Sequence, residues 1–295
     1  MILFFSCSLY EKKKLISIIG PTAVGKTVLS LKLAQEHDTH LISCDSRQFY
    51  RYMDIGTAKA SKEEQMLVPH HFIDFLNPDE TCNAGAFAAL VEEKLADLFQ
   101  TKETVIMVGG STLYANAVWY GIDEMPEIAP EIREELNTDF AEKGLLFLLQ
   151  ELQKNDPFTF ENIDKNNHVR VIRALEVYRS SGKPISFFRN QQKESPFQHI
   201  KIGLTDEREK LYERIDKRVL QMIDMGLMKE VSDLLSMGYS PELPAMRAIG
   251  YAEMVEYLQG KISLDKAISL IQQHSRNYAK RQLTYFRRDK TIEWR

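Results

Sequence analysis

The chain has 295 residues, 44% of them hydrophobic and 27% charged, which is ordinary usage for a soluble protein of one large domain or two smaller ones. No apolar run approaches the roughly 18 residues of a membrane span, so insertion in a membrane is not expected, and a net charge of -4 excludes a uniformly basic protein. The charge is uneven: residues 201–295 hold 17 basic and 14 acidic side chains, and residues 271–295 hold 7 and 2, leaving room for a local polyanion site.

The opening MILFFSCSLYEKKK carries its lysines after the apolar stretch, the reverse of a secretory signal, and reads as a short leader to the first strand. Cys7, Cys44 and Cys82 are odd in number and widely spaced, which suggests no disulfide framework and no CxxC metal site and fits a reducing cytoplasm. Residues 15–19 form a β-branched run, and residues 28–37 are helix-like with Leu29 and Leu33 on one side. Between them Gly20-Pro21-Thr22-Ala23-Val24-Gly25-Lys26-Thr27 satisfies G-x-x-x-x-G-K-[ST] in full. Glycines let successive N–H groups curl around a polyphosphate at a helix N-terminus, Lys26 adds charge, and the Thr27 hydroxyl can ligate Mg²⁺. An ordinary turn would account for the glycines but not for the lysine and threonine at fixed offsets.

Residues 41–44 and 104–108 read as further buried strands, separated by an amphipathic helix with Phe87, Leu90, Val91, Leu95 and Leu98 on one face. Strands alternating with helices predict an α/β fold with a mostly parallel sheet flanked by helices. Ligands collect at the carboxyl ends of such strands, so three loops should converge: the phosphate loop, Asp45-Ser46-Arg47-Gln48, and Gly109-Gly110-Ser111-Thr112. The strand at 104–108 ends in Gly109-Gly110-Ser111 rather than the aspartate that an NTP-hydrolysing motor uses for Mg²⁺, and Asp45 is the nearest strand-end carboxylate. An isolated Asp-Ser would read as a cap or Asx-turn, but its place beside the phosphate loop favours a site residue. Tyr50 and Tyr52, beside an apolar run, are assigned to the core.

From about residue 119 to residue 189 the pattern is helical, punctuated by Pro126, Pro130, Gly144, Pro157 and Gly182-Lys183-Pro184. This predicts a helical insertion at 119–198 between two core parts, 1–118 and 199–295. Residues 199–204 alternate like a returning strand, and helical patterns cover 206–238 and 264–288. In the last of these, Arg276, Lys280 and Arg287 form a basic stripe with Tyr278, Tyr285 and Phe286 interleaved. From spacing alone the chain could equally be a kinase for a small molecule or nucleoside phosphate, with Asp45 as base and the insertion's arginines as a lid; no motif supports a non-catalytic ATP-binding switch.

The phosphate loop, Ser43 through Tyr50, Met53-Asp54-Ile55-Gly56-Thr57-Ala58-Lys59, Val108-Gly109-Gly110-Ser111, Arg173-Ala174-Leu175-Glu176-Val177 and Lys280-Arg281-Gln282 together resemble the tRNA dimethylallyltransferases, in consistent order from residue 15 to residue 288. The resemblance implies transfer of a dimethylallyl group from dimethylallyl diphosphate to N6 of the adenine 3′ of the anticodon, position 37, in tRNAs that read codons beginning with U. It implies that Gly20 to Thr27 and Arg218 hold the diphosphate, although the motif invites an ATP-binding label, with Mg²⁺ on Thr27. Arg214, four residues before Arg218, is spaced to reach the same group. Asp45 would be the base for N6 and Ser111, where the family usually has threonine, its catalytic companion. The tRNA contacts implied are Asp45, Ser46, Arg47, Gln48, Ser111, Arg133, Arg170, Arg173, Arg247, Gly250, Tyr251, Lys280, Arg281 and Arg287. Asn167-His168-Val169-Arg170 departs from the family's Asn-Pro-Gln-Arg at His168 and Val169, so a proline-led helix entry and a glutamine contact are absent. The family further implies a cytoplasmic monomer whose partner is the tRNA anticodon stem-loop. His274 has no nearby cysteine and no Cys follows Cys82, so the zinc finger of some relatives is not expected.

Overall fold

A computed structural model describes residues 13–121, 125–188 and 195–295; the leader through residue 12, Cys7 and Arg189 lie outside the described residues. Strand β1 (Lys14–Ile19) is buried from Leu15 onward. The chain continues through α1 (Lys26–Glu36), β2 (Leu41–Cys44), α2 (Lys62–Leu67), β3 (His70–His71), α3 (Ala84–Leu98), β4 (Thr104–Gly109) and α4 (Thr112–Tyr120). Helices α5 (Pro130–Asn155), α6 (Pro157–Asn162) and α7 (His168–Ser181) precede a 3₁₀ turn at Ile185–Phe188. Then come β5 (Gln198–Gly203), α8 (Arg208–Asp224), α9 (Leu227–Ser236), α10 (Tyr251–Leu258), α11 (Leu264–Phe286) and β6 (Glu293–Trp294).

The six described strands form one sheet in the order β3-β2-β4-β1-β5-β6, with every pairing between neighbours parallel. A parallel sheet must be covered on both faces, and side-chain alternation divides the work. Leu15, Ile19, Ile42, Cys44, Val105 and Met107 point to a core shared with Phe87, Val91 and Leu95 of α3, while Ile16, Ile18, Leu41 and Ile106 point to one shared with Ala34 of α1. Leu90 is the exception to the expected stripe, since Phe87, Val91, Leu95 and Leu98 are buried but Leu90 is exposed. Four residues separate Phe87, Val91 and Leu95 in turn, and Leu90 lies off that line.

Register positions the site. Gly109 stands opposite both Ile19 of β1 and Cys44 of β2, and Ile19 stands opposite Gly203 of β5, so four strands end level. A Cβ at Gly109 would collide with the Cys44 carbonyl oxygen, which makes glycine necessary for that close approach. The run expected as helical over 206–238 breaks at Gly226 (φ 100°), where α8 gives way to α9. Helices α8 to α11 build a second core that encloses Tyr50 and Met53; Tyr52, also expected in the core, is half-exposed. Edge strands β3 and β6 have two residues each, too few for an alternation to be read from sequence.

The chain divides into two compact units, Met1–Tyr120 with Glu194–Arg295, and Gly121–Lys193. The sequence boundaries at 119 and 198 cut into elements of the larger unit: Trp119 is buried in its core, donating Nε1–H to Ser17 Oγ at 2.9 Å, and Gln198 begins β5. Within the smaller unit the punctuation residues do distinct work. Pro130 and Pro157 occupy first turns, Gly182 ends α7 in the left-handed region, and Gly144 (φ 77°) interrupts α5.

Its core surrounds Leu136, Leu148, Val171 and Leu175, and the buried carboxylate of Glu176 lies among them. Burial pushes the Glu176 carboxyl up, but hydrogen bonds and charge from Arg133 and Arg173 outweigh it and hold the carboxyl below its usual range. Arg133 makes two hydrogen bonds to Glu176 and Arg173 one at 3.2 Å. Because the folded-state value is depressed, this stabilisation is present above the usual carboxylate range and is lost as pH falls through the folded value. Replacing Arg133 and Arg173 together by methionine should lower stability by about 2 kcal/mol at neutral pH, and by much less in acid; chemical denaturation at the two pH values checks this, and an equal loss at both would contradict it.

Candidate active site

Three loops leave the level strand ends and meet in a cleft of about 800 Å³ within the larger unit, walled on the far side by α8 and α11. The first is the phosphate loop. Gly25 (φ 100°) precedes α1 and no side chain caps that helix, so its first N–H groups have no intrahelical acceptor and face the cleft with Lys26 and Thr27. Lys26 Nζ donates to the carbonyls of Gly20 at 3.0 Å and Pro21 at 2.7 Å. Burial lowers its pKa to about 8, with Asp45 acting to raise it and Arg218 to lower it. Arg218 of α8 reaches the loop from the opposite wall, 3.5 Å from Thr22 Oγ1, and is itself lowered by burial and by Arg214. Arg214, considered for the same role, is absent from the cleft lining and paired with Asp206.

Asp45 opens the second loop. Burial raises its pKa, and the Arg47 N–H, Lys26 and Arg47 charges pull it back down. Its Oδ1 accepts from the Arg47 N–H at 3.0 Å, so the Asx-turn and the site residue are the same side chain. Ser111, at the end of the third loop, accepts from the Ser46 N–H at 2.9 Å and shares a 3.2 Å contact between hydroxyls with Ser46.

Sequence reasoning passed over Tyr278. It treated this residue as one of several aromatics interleaved with a basic stripe, but the stripe that lines the cleft is Ile271, Ser275, Tyr278 and Gln282, at helical spacing. Burial raises the Tyr278 pKa, with the Asp45 charge adding to it and a hydrogen bond with Ser111 opposing it, so the phenol is neutral beside those two residues. Small and polar residues recurring on the inward line of an amphipathic helix were the available signal. Arg276 pairs with Asp216, Lys280 and Arg287 are exposed away from the lining, and Arg281 lies at the cleft with its guanidinium 5.9 Å from the Tyr278 ring.

A model of the IPP transferase family matches residues 48–289. The chain belongs to the IPP transferase family. It is 43% identical over 286 residues to a tRNA dimethylallyltransferase of Cytophaga hutchinsonii, covering 97% of this chain and 93% of that one. A tRNA dimethylallyltransferase of Christiangramia forsetii is 44% identical over 281 residues, covering 95% and 92%. Among solved structures, a full-length tRNA isopentenylpyrophosphate transferase of Bacillus halodurans is similar with a TM-score of 0.72 and 40% identity, covering 96% of this chain and 90% of that one. A eukaryotic dimethylallyltransferase acting on tRNA is similar with a TM-score of 0.80 and 28% identity, covering 93% and 70%.

Apart from Lys280 and Arg287, which lie outside the cleft lining, the residues that the family likeness assigned to tRNA fall into three groups. Asp45, Ser46, Arg47, Ser111, Arg247 and Arg281 line the cleft, although Arg47 also donates to the Pro244 carbonyl at 2.8 Å and Arg247 pairs with Glu242. Arg133, Arg170 and Arg173 belong to the smaller unit; two of them hold Glu176, and Arg170 has no ion pair among the described residues. The third group is corrected by the structure. Tyr251 is fully buried with its hydroxyl on Glu230 at 2.6 Å, and Gly250 is buried with its N–H on Glu253 at 2.7 Å, so both shape the core and present nothing to a ligand. Gln48 is not among those corrected: it lines the cleft, its amide accepting from Ser43 Oγ at 3.0 Å and donating to the Ala58 carbonyl at 3.2 Å.

The Met53-to-Lys59 signature is likewise a structural device. Glu230 accepts from the N–H groups of Asp54 at 2.9 Å, Ile55 at 2.8 Å and Gly56 at 3.2 Å, and Lys59 ties the Tyr50 carbonyl to Asp54 and Asp74. Glu230→Ala strips four donors of their acceptor and should cost about 3 kcal/mol of stability by urea denaturation; a loss below about 1 kcal/mol would show that the segment holds itself.

Proposed function

We propose that this cleft transfers the dimethylallyl group of dimethylallyl diphosphate to N6 of adenine 37, 3′ of the anticodon, in tRNAs that read codons beginning with U, giving N6-(dimethylallyl)adenosine and diphosphate. The observation that carries the reading is the pairing, in one cleft, of a phosphate loop with an environmentally raised carboxylate at the next strand end. A phosphate loop alone fits many reactions. Asp45 beside it supplies what alkylation of an amine requires.

The lone pair of N6 is delocalised into the purine ring, which makes the amine a poor nucleophile. As N6 attacks the allylic carbon, the carbon–oxygen bond to diphosphate breaks, and the N6 proton passes to the Asp45 carboxylate. A base whose pKa is raised by burial holds that proton better, and general base catalysis by a positioned side chain typically contributes about 10²–10⁴-fold in rate. Negative charge grows on the departing diphosphate, where the amides at the start of α1, Lys26 and Arg218 stabilise it. Ser111, hydrogen-bonded to Ser46 and lining the cleft with Tyr278, is placed near Asp45 to orient the adenine. Extruding the base from its stack costs a few kcal/mol, which Arg47, Arg247 and Arg281 at the cleft offset through the RNA backbone.

The residues present suit Mg²⁺: Thr27 lines the cleft in the first turn of α1, next to where a diphosphate meets the loop, and a hard oxygen plus substrate oxygens is the donor set this ion accepts. Bound there, the ion would neutralise charge on the leaving group. No described helix is long and apolar enough to cross a membrane. The reading extends to a cytoplasmic monomer acting on the anticodon stem-loop.

With Mg²⁺, dimethylallyl diphosphate and unmodified tRNA, the protein should release diphosphate and add one C5H8 unit to one adenine, read by mass spectrometry of the nucleosides. Phosphoryl transfer from ATP to a small acceptor, without prenylation, would overturn the reading. Asp45→Asn should lower kcat by about 10²–10⁴ with tRNA affinity retained; lost binding with normal turnover of the remaining complex would make Asp45 a positioning residue.

The pH profile of kcat/KM for the donor should be bell-shaped. On the acid side the base protonates, at a value above the usual carboxylate range because burial raises Asp45. On the alkaline side Lys26 loses its proton as pH rises through about 8, weakening capture of the diphosphate. In kcat, with diphosphate bound, that alkaline limb should move up, because the anion favours the ammonium. Lys26→Arg should remove the limb, as a guanidinium does not titrate there; a limb unchanged in that variant would contradict the assignment.

A further inference from the structure

Gln282 lies on the cleft-facing line of α11 and is 2% exposed. Its Oε1 accepts from the Thr22 N–H at 3.0 Å and its Nε2 donates to the Gly110 carbonyl at 2.8 Å. The amide therefore bridges the loop after β1 to the loop after β4, and both of its ends are used. The two bonds are chemically distinct, since only an acceptor can face the N–H and only a donor the carbonyl. Gly110 is shaped to the same contact: a Cβ there would collide with Gln282 Nε2.

The bridged groups are adjacent to the chemistry on both sides. Thr22 lies within the phosphate loop, its hydroxyl 3.5 Å from Arg218, while Gly110 immediately precedes Ser111. One turn earlier on the same helix, Tyr278 lines the cleft beside Ser111. Helix α11 thus grips the leaving-group loop and the nucleophile's loop at once. A displacement needs the attacking and departing atoms within a narrow range of separation and angle, and a misplacement of about 1 Å can cost about 10²-fold.

We infer that Gln282 is a positioning residue for group transfer, a two-ended ruler that sets the spacing between the diphosphate loop and the Gly110-Ser111 loop, and turns the Thr22 N–H away from the anion cradle. This rests on the proposed transfer reaction for its kinetic consequence, although the bridge itself is independent of which group is transferred.

The test compares Gln282→Ala, Gly110→Ala and the double variant by steady-state kinetics with dimethylallyl diphosphate and tRNA, alongside calorimetric binding of inorganic diphosphate with Mg²⁺. Gln282→Ala should lower kcat by about 10²-fold and raise the donor KM about tenfold, with the KM for tRNA within about twofold of the parent. Gly110→Ala should do the same by displacing the amide, and the double variant should be no worse than Gln282→Ala, because the collision is gone. A lowered melting temperature with kcat and both KM values unchanged would overturn the inference, as would additive effects of the two substitutions. If Gln282→Ala does not fold, Gln282→Glu keeps the size, sets an acceptor against the Gly110 carbonyl, and is expected to give the same kinetic loss. If the parent binds diphosphate but transfers no prenyl group, the functional reading fails separately; the inference then stands on an approximately tenfold weaker diphosphate affinity in Gln282→Ala, and falls if that affinity is unchanged.

Discussion

Everything in the cleft depends on the close approach at Gly109, where the backbone of β4 lies against the Cys44 carbonyl with no room for a side chain. Parallel register transmits that approach, because Gly109 is opposite Cys44 on one side and Ile19 on the other. The residues that follow those three positions are Gly110-Ser111, Asp45 and the phosphate loop. A side chain at 109 would separate β2 from β4 where the Ser111 N–H donates to the Cys44 carbonyl and Ser111 bonds Ser46 beside Asp45. The site is therefore a property of the sheet before it is a property of its loops.

Within that frame, charge and burial work against each other to useful effect. Burial weakens the charged forms of Lys26 and Asp45, lowering one pKa to about 8 and raising the other, while each supports the other's charge. A fully solvated pair would sit several units apart and neither group would respond to a ligand near neutrality. In the proposed reaction this convergence serves two ends, with the carboxylate more able to keep a proton and the ammonium ready to regain its full charge against diphosphate. Arg218 and Arg247 approach from outside the sheet, so helix packing completes a site that the sheet begins.

How far the sequence was legible follows from the kind of signal each residue carries. The phosphate loop, the strand ends and the parallel sheet could be read because local spacing alone specifies them: fixed offsets for Gly25, Lys26 and Thr27, β-branched runs for the strands. Leu90 and Tyr52 were misplaced because the side on which a residue falls is decided by the packing partner. Gln48, Gly250 and Tyr251 belong to recognisable family segments, but the segments do not show what each one holds: Tyr251 bonds Glu230, Gly250 bonds Glu253, and Gln48 bonds Ser43 and Ala58. Tyr278 was invisible as a site residue, and the family segment Lys280-Arg281-Gln282 did not show what Gln282 holds, because their partners Ser111, Gly110 and Thr22 lie far along the chain. The two-residue edge strands left no period to read.

The central claim is that one cleft holds both substrates, with the diphosphate on the loop after β1 and the target amine on Asp45. A crystal structure with Mg²⁺, an anticodon stem-loop and an unreactive thio-analogue of dimethylallyl diphosphate tests it most directly. The account predicts an extruded adenine with N6 in hydrogen-bond contact with Asp45, its allylic partner directly in line, and the analogue's phosphates on the amides of α1 beside Lys26 and Arg218. An adenine bound away from Asp45, or phosphates seated elsewhere than the loop, would contradict it.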